Sequence, residues 1–220
     1  MLASEIVITE IPSLSKSDSV AQAIEWMDEF KVTQLAVVDD FKYLGLVNES
    51  YLLNIDDPAE RISQHCNFLE KVHAYENEHV FEIIKKVQEY QLSLIPVLSE
   101  KELFVGTITV FNLMVVIAEM PVVKNPGGII VMDMNSIDYS LSEISRIVES
   151  NNAKVLGCFI SRAYDNNSIE LTIKINKMNV QDVIQTFERF GYEITASYDH
   201  SGNNDDMEDR YNNLMNYLNM

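Results

Sequence analysis

The sequence lacks the features of a membrane-spanning or secreted protein. No apolar run approaches the ~20 residues that a membrane-spanning helix needs, and the N-terminus has neither the basic start nor the apolar core of a secretory signal. Its only two cysteines, Cys66 and Cys158, lie far apart without a paired spacing, which suits a reducing cytosol and predicts two ordinary buried thiols rather than a disulfide. We therefore expect a cytoplasmic protein with no membrane partner.

Basic side chains are also scarce. Sixteen Lys and Arg residues stand against 34 Asp and Glu residues, which gives a formal net charge of −18, and residues 1–120 alone carry 8 basic and 20 acidic side chains. An acidic protein of this kind repels nucleic acid and anionic membrane. We therefore expect no nucleic-acid partner, and the excess argues mildly against a polyphosphate ligand in the first half of the chain.

Catalytic and metal-binding patterns are missing as well. The only double glycine, at residues 127–128, lies in no phosphate-binding pattern, and no serine lies in the G-x-S-x-G turn of the hydrolases. His65, Cys66, His73 and His79 lie within fifteen residues of one another, but their spacing matches no zinc pattern. We therefore expect a protein that is not an enzyme and that holds neither a metal ion nor a cofactor.

What the sequence does contain is an internal repeat, because residues 17–53 recur about sixty residues later as residues 77–114. The paired positions are Val20 and Val80, Ile24 and Ile84, Phe30 and Tyr90, Leu35 and Ile95, Val37 and Val97, Gly45 and Gly106, Val47 and Ile108, and Leu52 and Leu113. One copy cannot close a core by itself, so we expect the two copies to pack face to face and to hold a ligand in the cleft between them. The repeat predicts a sensing or regulatory module.

Each copy predicts a helix, two short strands and a closing helix, preceded by a similar lead-in at residues 2–5 and 62–65. The apolar residues recur at helical spacing in some segments and form short β-rich runs in others. These patterns predict helices at 20–30, 49–54, 80–90 and 110–120, and strands at 34–38, 43–47, 94–98 and 103–107.

The second half of the chain has a different pattern. Prolines and glycines at residues 121–128 predict a linker. The next segments predict strands at 129–134, 154–162, 169–175 and 193–198, and helices at 140–150 and 180–190, the second helix ending at Gly191. This βαββαβ order is that of the ferredoxin-like sandwich. Beyond it, residues 207–218 form an apolar helical stripe, which we expect to pack on the protein's own dimer or to recruit a partner.

At this point the chain resembles known regulatory domains over residues 1–198. The doubled unit, with Ile-Pro-Val at residues 95–97 and Gly-Thr-Ile-Thr at residues 106–109, resembles a tandem CBS pair, or Bateman module. The unit after the linker resembles an ACT or ACT-like domain, and the combined order is similar to that of bacterial proteins known as acetoin-utilisation or CBS-domain proteins. The resemblance implies a cytosolic regulatory homodimer that binds a small molecule, often an adenine nucleotide, without transforming it.

The expected fold class is therefore α/β (α+β), with tandem CBS β-α-β-β-α repeats followed by a ferredoxin-like ACT-like domain. The expected division is a first CBS repeat at 1–60, a second at 61–120, a linker at 121–128, the ACT-like domain at 129–198, and an acidic spacer with the amphipathic helix at 199–220.

The resemblance also indicates where a ligand would bind. Nucleotide-binding CBS repeats end with a hydroxyl residue followed, three positions later, by an aspartate, and these side chains hold phosphate and ribose. The second copy keeps the hydroxyl at Thr109 but has Asn112 in place of the aspartate, whereas the first copy has Asn48 and Tyr51. We expect a functional cleft in the second copy and a degenerate one in the first, and a closed, ligand-free interface is the alternative for each. The candidate ligand-binding residues are Thr109, Asn112, Pro96, Ile95, Asn48 and Tyr51.

In the ACT-like half, Tyr139 and Ser140 stand where amino-acid-binding members carry a glycine. A β-carbon at Ser140 hinders the close approach of a ligand to the backbone. We expect Asp138 or Ser140 to cap the following helix, and the domain to pair with a second copy rather than to bind an amino acid.

Two functional hypotheses remain at this stage. In the leading one, a weakly charged adenosine-type ligand enters the cleft between the repeats and changes their relative angle, and the linker passes that change to the ACT-like domain. In the alternative, the protein is a ligand-free dimeric scaffold that uses its C-terminal helix to bind a protein target.

Overall fold

The computed structural model describes residues 1–164 and 167–199. The chain folds as two compact units, Met1–Ala118 and Glu119–Met220, and each combines helices with strands, which confirms the α+β class. The apolar stripe at 207–218 lies outside the described residues. Within residues 1–164 and 167–199, no helix is long and apolar enough to cross a membrane.

The first unit contains two matching sets of elements. The first set is α1 (Val20–Phe30), β1 (Gln34–Asp39), β2 (Lys42–Asn48) and α2 (Glu49–Leu52). The second set is β3 (Ala74–Tyr75), α3 (Val80–Glu89), β4 (Leu94–Leu98), β5 (Phe104–Thr109) and α4 (Val110–Glu119). A 3₁₀ turn precedes each set, at Ala3–Glu5 and at Ile62–Phe68. The β-α-β-β-α order predicts a strand before each first helix without giving its range, and β3 is that strand in the second repeat. The ends of the other strands and helices agree with the sequence prediction to within two residues.

The lead-in of each repeat extends as far as its first long helix, α1 or α3, and it pairs with the second strand of the other repeat. Ile8 and Thr107 exchange two backbone hydrogen bonds, with N···O distances of 2.8 and 2.9 Å. Glu70 and Leu46 exchange the equivalent pair at 2.9 and 2.7 Å. Because the exchange is reciprocal, neither repeat completes its sheet without the other, and both form one core.

The matched glycines of the repeat lie where the exchanged backbones cross. A β-carbon at Gly106 would lie 2.4 Å from the carbonyl oxygen of Ile8, and one at Gly45 would lie 2.6 Å from the β-carbon of Leu69. Both distances are far below van der Waals contact, so only glycine allows this approach.

Apolar side chains from both repeats fill the core of the first unit. Ser19 begins α1 by accepting a hydrogen bond from the Gln22 N–H at 3.2 Å, and His79 begins α3 by accepting one from the Phe81 N–H at 3.3 Å. The apolar faces of these helices then turn inward. The fully buried residues include Val20, Met27, Leu35, Leu46, Ile62, Val80, Ile83, Leu94, Ile95 and Ile108.

The second unit has the predicted ferredoxin-like arrangement. Its elements are α5 (Pro121–Lys124), β6 (Ile129–Asn135), α6 (Leu141–Ser150), β7 (Val155–Ala163), β8 (Ser168–Ile175), α7 (Gln181–Arg189) and β9 (Glu193–Tyr198). The strands form an antiparallel sheet in the order β7-β8-β6-β9. Alternate residues of β8 are buried, and they join the apolar faces of α6 and α7 in one core. Gly191 follows α7 with a φ of +84°, the left-handed conformation expected at a helix end.

Apart from shifts of one residue at the ends of α6, α7, β7 and β8, three details differ from the sequence analysis. The predicted linker begins with a helical turn, α5, because a proline at the first helical position has no N–H to satisfy and a φ that suits a helix start. Asn135 extends β6 by one residue because it pairs with Ser168. Cys66 and Cys158 are free, as expected, but half-buried rather than buried.

Candidate ligand clefts of the first unit

Thr109 and Asn112 are bonded to each other at the start of α4. The Thr109 hydroxyl donates to Asn112 Oδ1 at 2.6 Å, and the Thr109 N–H donates to the same oxygen at 3.1 Å. In return, the Asn112 N–H donates to Thr109 Oγ1 at 3.0 Å. This reciprocal set satisfies two backbone donors that a helix start would otherwise leave unpaired.

These bonds determine what Asn112 can offer to a ligand. Because Oδ1 accepts an N–H, the orientation of the amide is set by its hydrogen bonds, and Nδ2 must be the other atom. Among the described residues Nδ2 has no acceptor. Asn112 therefore presents two N–H donors to a ligand.

A groove of about 490 Å³ lies beside this pair and is lined by both repeats. The first repeat contributes Lys31 and Val32, which follow α1, and the second contributes Thr109 and Phe111. Lys31 has a left-handed backbone, with φ of 54°, and its amine lies 2.9 Å from the Asp28 carboxylate. The groove therefore combines apolar surface, a hydroxyl and one paired cation.

A partly buried hydrogen-bond network joins the repeats next to the groove. The Ser93 hydroxyl donates to Gln34 Oε1 at 2.6 Å and accepts the Thr33 N–H at 2.9 Å. The Ser93 N–H donates to the same Gln34 oxygen at 2.8 Å. Because Thr33 and Ser93 hold equivalent positions in the repeats, this network ties the two copies at their matching strand starts.

Ile95 and Pro96 do not line this groove. Both are buried in β4, and Ile95 belongs to the core of the first unit. Both are core residues, and a ligand could contact them only if β4 moved.

The equivalent cleft in the first repeat is filled by the chain itself. Asn48 Nδ2 donates to Glu70 Oε1 at 2.8 Å. The Tyr51 hydroxyl lies 3.0 Å from His65 Nδ1, and its ring stacks on Phe68 with centroids 4.9 Å apart. The groups that a ligand would need there already have protein partners.

The structure also brings together residues that the sequence analysis did not single out. Lys42, Lys71 and Lys101 line one pocket of about 350 Å³, together with His73 and Tyr43. The three lysines are about thirty residues apart in the chain, so no local sequence pattern connects them. Only the folded arrangement of the two hairpins places them side by side.

In the second unit, Ser140 begins α6, as expected, since its hydroxyl accepts the Glu143 N–H at 3.4 Å. The neighbouring Cys158 thiol has its pKa raised by burial, so it is a weak nucleophile at neutral pH. Among the residues that the structure describes, no three His, Cys, Asp or Glu side chains lie close enough to hold a metal ion.

Comparison with known proteins finds one family match, which lies within the first repeat. Residues 3–57 match the family model of the CBS domain. Similar solved structures include a CBS domain pair/ACT domain protein from Thermotoga maritima, with 19% identity over 54% of this chain and 98% of that one and a TM-score of 0.49. The CBS domains of a transcriptional regulator from Streptococcus pneumoniae match with 12% identity over 52% and 97% and a TM-score of 0.46. CBSX2 in complex with AMP matches with 20% identity over 54% and 96% and a TM-score of 0.45.

Proposed function

We propose that this protein is a regulatory protein that binds an adenosine-containing small molecule in the groove between its two repeats and does not transform it. The observation that carries the proposal is the shared lining of that groove, with Lys31 and Val32 on one side and Thr109 and Phe111 on the other. A ligand in the groove contacts both repeats, so its affinity depends on how the repeats are arranged.

The family match of the first repeat supports this proposal. CBS-domain proteins commonly bind adenosine ligands such as AMP and ATP in a regulatory role. The first unit contains two copies of the repeat, and the second copy retains the hydroxyl that nucleotide-binding members use.

The groove suits a ligand with a flat apolar ring and several hydroxyl groups. The Phe111 side chain is 75% exposed, and an adenine ring stacked on it would cover that apolar surface. Asn112 does not itself line the groove, but it bonds to Thr109, which does. Its amide can donate to a ribose oxygen, because Nδ2 is not engaged by a described residue. The single lysine of the groove, Lys31, is already paired with Asp28, which favours a weakly charged ligand over a triphosphate.

Regulation follows only if the ligand prefers one arrangement of the repeats. A ligand of equal affinity for both arrangements shifts nothing, however tightly it binds. The Thr33–Gln34–Ser93 network lies next to the groove and joins the repeats, so a change in their angle has to be accommodated there.

The test is a calorimetric titration of adenosine into the intact protein and into Asn112→Asp. A carboxylate at 112 keeps both acceptor bonds to Thr109 and places a charged acceptor where Nδ2 was, so ribose hydroxyls can donate to it. We expect Asn112→Asp to bind adenosine about tenfold more tightly than the wild type, a difference of ~1.4 kcal/mol. Thr109→Val, which lacks the hydroxyl, should bind more weakly.

Asn77→Asp is the matched control, because it adds the same charge at an exposed residue that does not line the groove. Its affinity for adenosine should equal that of the wild type. Absence of saturable binding by both the wild type and Asn112→Asp at millimolar adenosine would contradict the proposal.

A second candidate function is a homodimeric scaffold that binds no ligand. The observation that favours it is the exposed apolar face of α4, where Met114 and Val115 are 57% and 45% exposed. The filled cleft around Tyr51 fits this alternative as well. In a scaffold, both repeats would serve to build the dimer and present it to a protein target.

A further inference from the structure

The three lysines of the pocket described above meet where the two hairpins of the first unit touch. Lys42 begins β2 and pairs with Leu103 in an isolated bridge, and the Phe104 N–H donates to the Phe41 carbonyl at 2.8 Å. Lys101 lies in the turn between β4 and β5, and Lys71 lies in the lead-in of the second repeat. Contacts between the repeats therefore build this lysine pocket.

Within residues 1–164 and 167–199, no carboxylate forms an ion pair with any of these three lysines. Other lysines of the same unit pair with carboxylates: Lys16 with Asp39 at 2.7 Å, and Lys86 with Glu78 at 2.7 Å. Lys42, Lys71 and Lys101 form no ion pair with any residue that the structure describes, although residues 1–120 carry 20 acidic side chains. Three unpaired amines around one concave site are unexpected on so acidic a surface.

One carboxylate, Glu102, also lines the pocket and keeps its negative charge, so three lysines against one glutamate leave the lining with a formal charge of +2. Glu102 accepts a hydrogen bond from the Tyr75 hydroxyl at 3.1 Å, and this bond raises the pKa of Tyr75. The Tyr43 hydroxyl is likewise used, because it donates to the Val72 carbonyl at 2.7 Å. What the pocket offers to a ligand is therefore the set of lysine amines, with the His73 ring beside them.

The local field and the overall charge act at different distances. At physiological ionic strength the screening length is about 8 Å, so a small anion inside the pocket responds mainly to the nearby amines. A long polyanion such as nucleic acid also meets the acidic surface around the pocket and is repelled. This combination selects small anions.

The floor of the pocket is apolar. Leu44, Leu98 and Leu103 line it, and Leu98 is almost completely buried. Pockets of a few hundred Å³ with an apolar lining and a few charged groups are typical of small-molecule sites, and lysine is a common binder of phosphate. The pocket shares no lining residue with the groove beside Thr109.

We propose that the lysine pocket is a second binding site of this protein, for a small molecule that carries two or more phosphate charges as an ester or an anhydride. It does not depend on the adenosine groove. The sequence argument against a polyphosphate in this half of the chain rested on net charge, whereas the structure concentrates three of the eight basic side chains of residues 1–120 at one place.

The test uses the intact protein saturated with 5 mM adenosine, in buffer of low ionic strength, with inorganic tripolyphosphate as the calorimetric probe. We expect saturable binding at one site per chain that weakens as salt is added. Lys42→Gln, Lys71→Gln and Lys101→Gln should each weaken it about tenfold, because each removes one charge-assisted contact. Lys71→Arg keeps the charge and should keep most of the affinity.

Lys85→Gln is the matched control, since Lys85 is exposed, forms no ion pair with a described residue and does not line the pocket. Its affinity for tripolyphosphate should be unchanged. The proposal is overturned if no saturable binding is found at millimolar probe, or if Lys85→Gln weakens binding as much as the pocket variants do. Thermal unfolding of each variant checks that it is folded.

Comparison of two probes distinguishes the possible sources of the phosphate. Tighter binding of ATP than of tripolyphosphate to the adenosine-saturated protein would indicate that the apolar floor contacts the organic part of the ligand. Equal binding would assign the site to inorganic phosphates. Because adenosine carries no phosphate, its own titration reports on the groove alone, and failure of one site is separable from failure of the other.

Discussion

At the scale of single residues, the matched glycines of the two repeats are explained by the crossing of the exchanged lead-ins. Gly45 and Gly106 lie in equivalent strands, and each faces the lead-in of the other repeat at a distance that leaves no room for a methyl group. The sequence repeat therefore preserves a packing requirement at these two positions.

We predict that Gly106→Ala lowers the free energy of unfolding of the first unit by about 1–3 kcal/mol, because its β-carbon would collide with the Ile8 carbonyl. Urea denaturation measures the loss, and faster hydrogen exchange of the Ile8 and Thr107 amides locates it. Gly191→Ala is the comparison, since a β-carbon there meets nothing within 4 Å and only the positive φ resists it. Equal or larger destabilisation by Gly191→Ala would contradict this explanation.

Tyr43 lines the lysine pocket and forms a hydrogen bond to the lead-in of the second repeat. Its hydroxyl donates to the Val72 carbonyl, and burial, with a smaller contribution from the Glu70 carboxylate, raises the pKa of Tyr43. A pKa that is higher in the folded than in the unfolded state stabilises the fold below the unfolded value of about 10, and this stabilisation is lost as the pH rises above it.

We predict that the free energy of unfolding falls more steeply above pH 10 in the wild type than in Tyr43→Phe. The difference in slope should approach ~1.4 kcal/mol per pH unit, because one proton is released on unfolding in the wild type and none at this position in the variant. Urea denaturation between pH 8 and 11 measures both slopes. Parallel curves would show that Tyr43 ionises equally in the two states.

At the scale of elements, α4 contributes both to the groove and to an exposed apolar surface. Its start carries the Thr109–Asn112 cap beside the groove, and its middle exposes apolar side chains while Leu113 and Val116 point into the core. Phe111, Met114 and Val115 are exposed, and residues three and four positions apart on a helix form a continuous stripe, which is typical of an association surface.

We predict that the protein is a homodimer and that Met114→Glu weakens the dimer at least tenfold, because a carboxylate would be buried in an apolar interface. Sedimentation equilibrium should give twice the chain mass of 25.2 kDa for the wild type and a lower average mass for the variant. Ile137→Glu, a change at an 84% exposed loop residue, should leave the dimer intact. A monomeric wild type, or a Met114→Glu dimer of unchanged affinity, would contradict the prediction.

Most elements could be predicted from the sequence because they depend on local spacing. The apolar period of α1 and the alternation of β8 each lie within one short segment, and the structure has both elements at the expected positions. The exchange between Ile8 and Thr107 could not be predicted in this way, since nearly a hundred residues separate the two strands that pair.

The candidate site was predictable in part for the same reason. The motif locates Thr109 and Asn112 at the start of a helix, but it does not reveal that they bond to each other and leave only the amide donors free. The pocket of Lys42, Lys71 and Lys101 has no local signal at all, because its residues come together only through contacts between the repeats. The resemblance to proteins of acetoin utilisation stays a prediction.

At the scale of the whole molecule, the chain forms two units, and we propose that the first has two separate sites for small ligands. The groove between the repeats is nearly neutral and suits adenosine, and the lysine pocket at the hairpin contact suits phosphate groups. Two such sites in one folded core would let the protein respond to two small molecules, each acting on contacts that both repeats share.

The most direct test of the central claim is amide hydrogen exchange of the intact protein with and without saturating adenosine. The account predicts slower exchange on both sides of the groove, at Lys31 and Val32 in the first repeat and at Val110 and Phe111 in the second. Unchanged exchange in both segments, or protection confined to the second unit, would show that adenosine does not bind between the repeats.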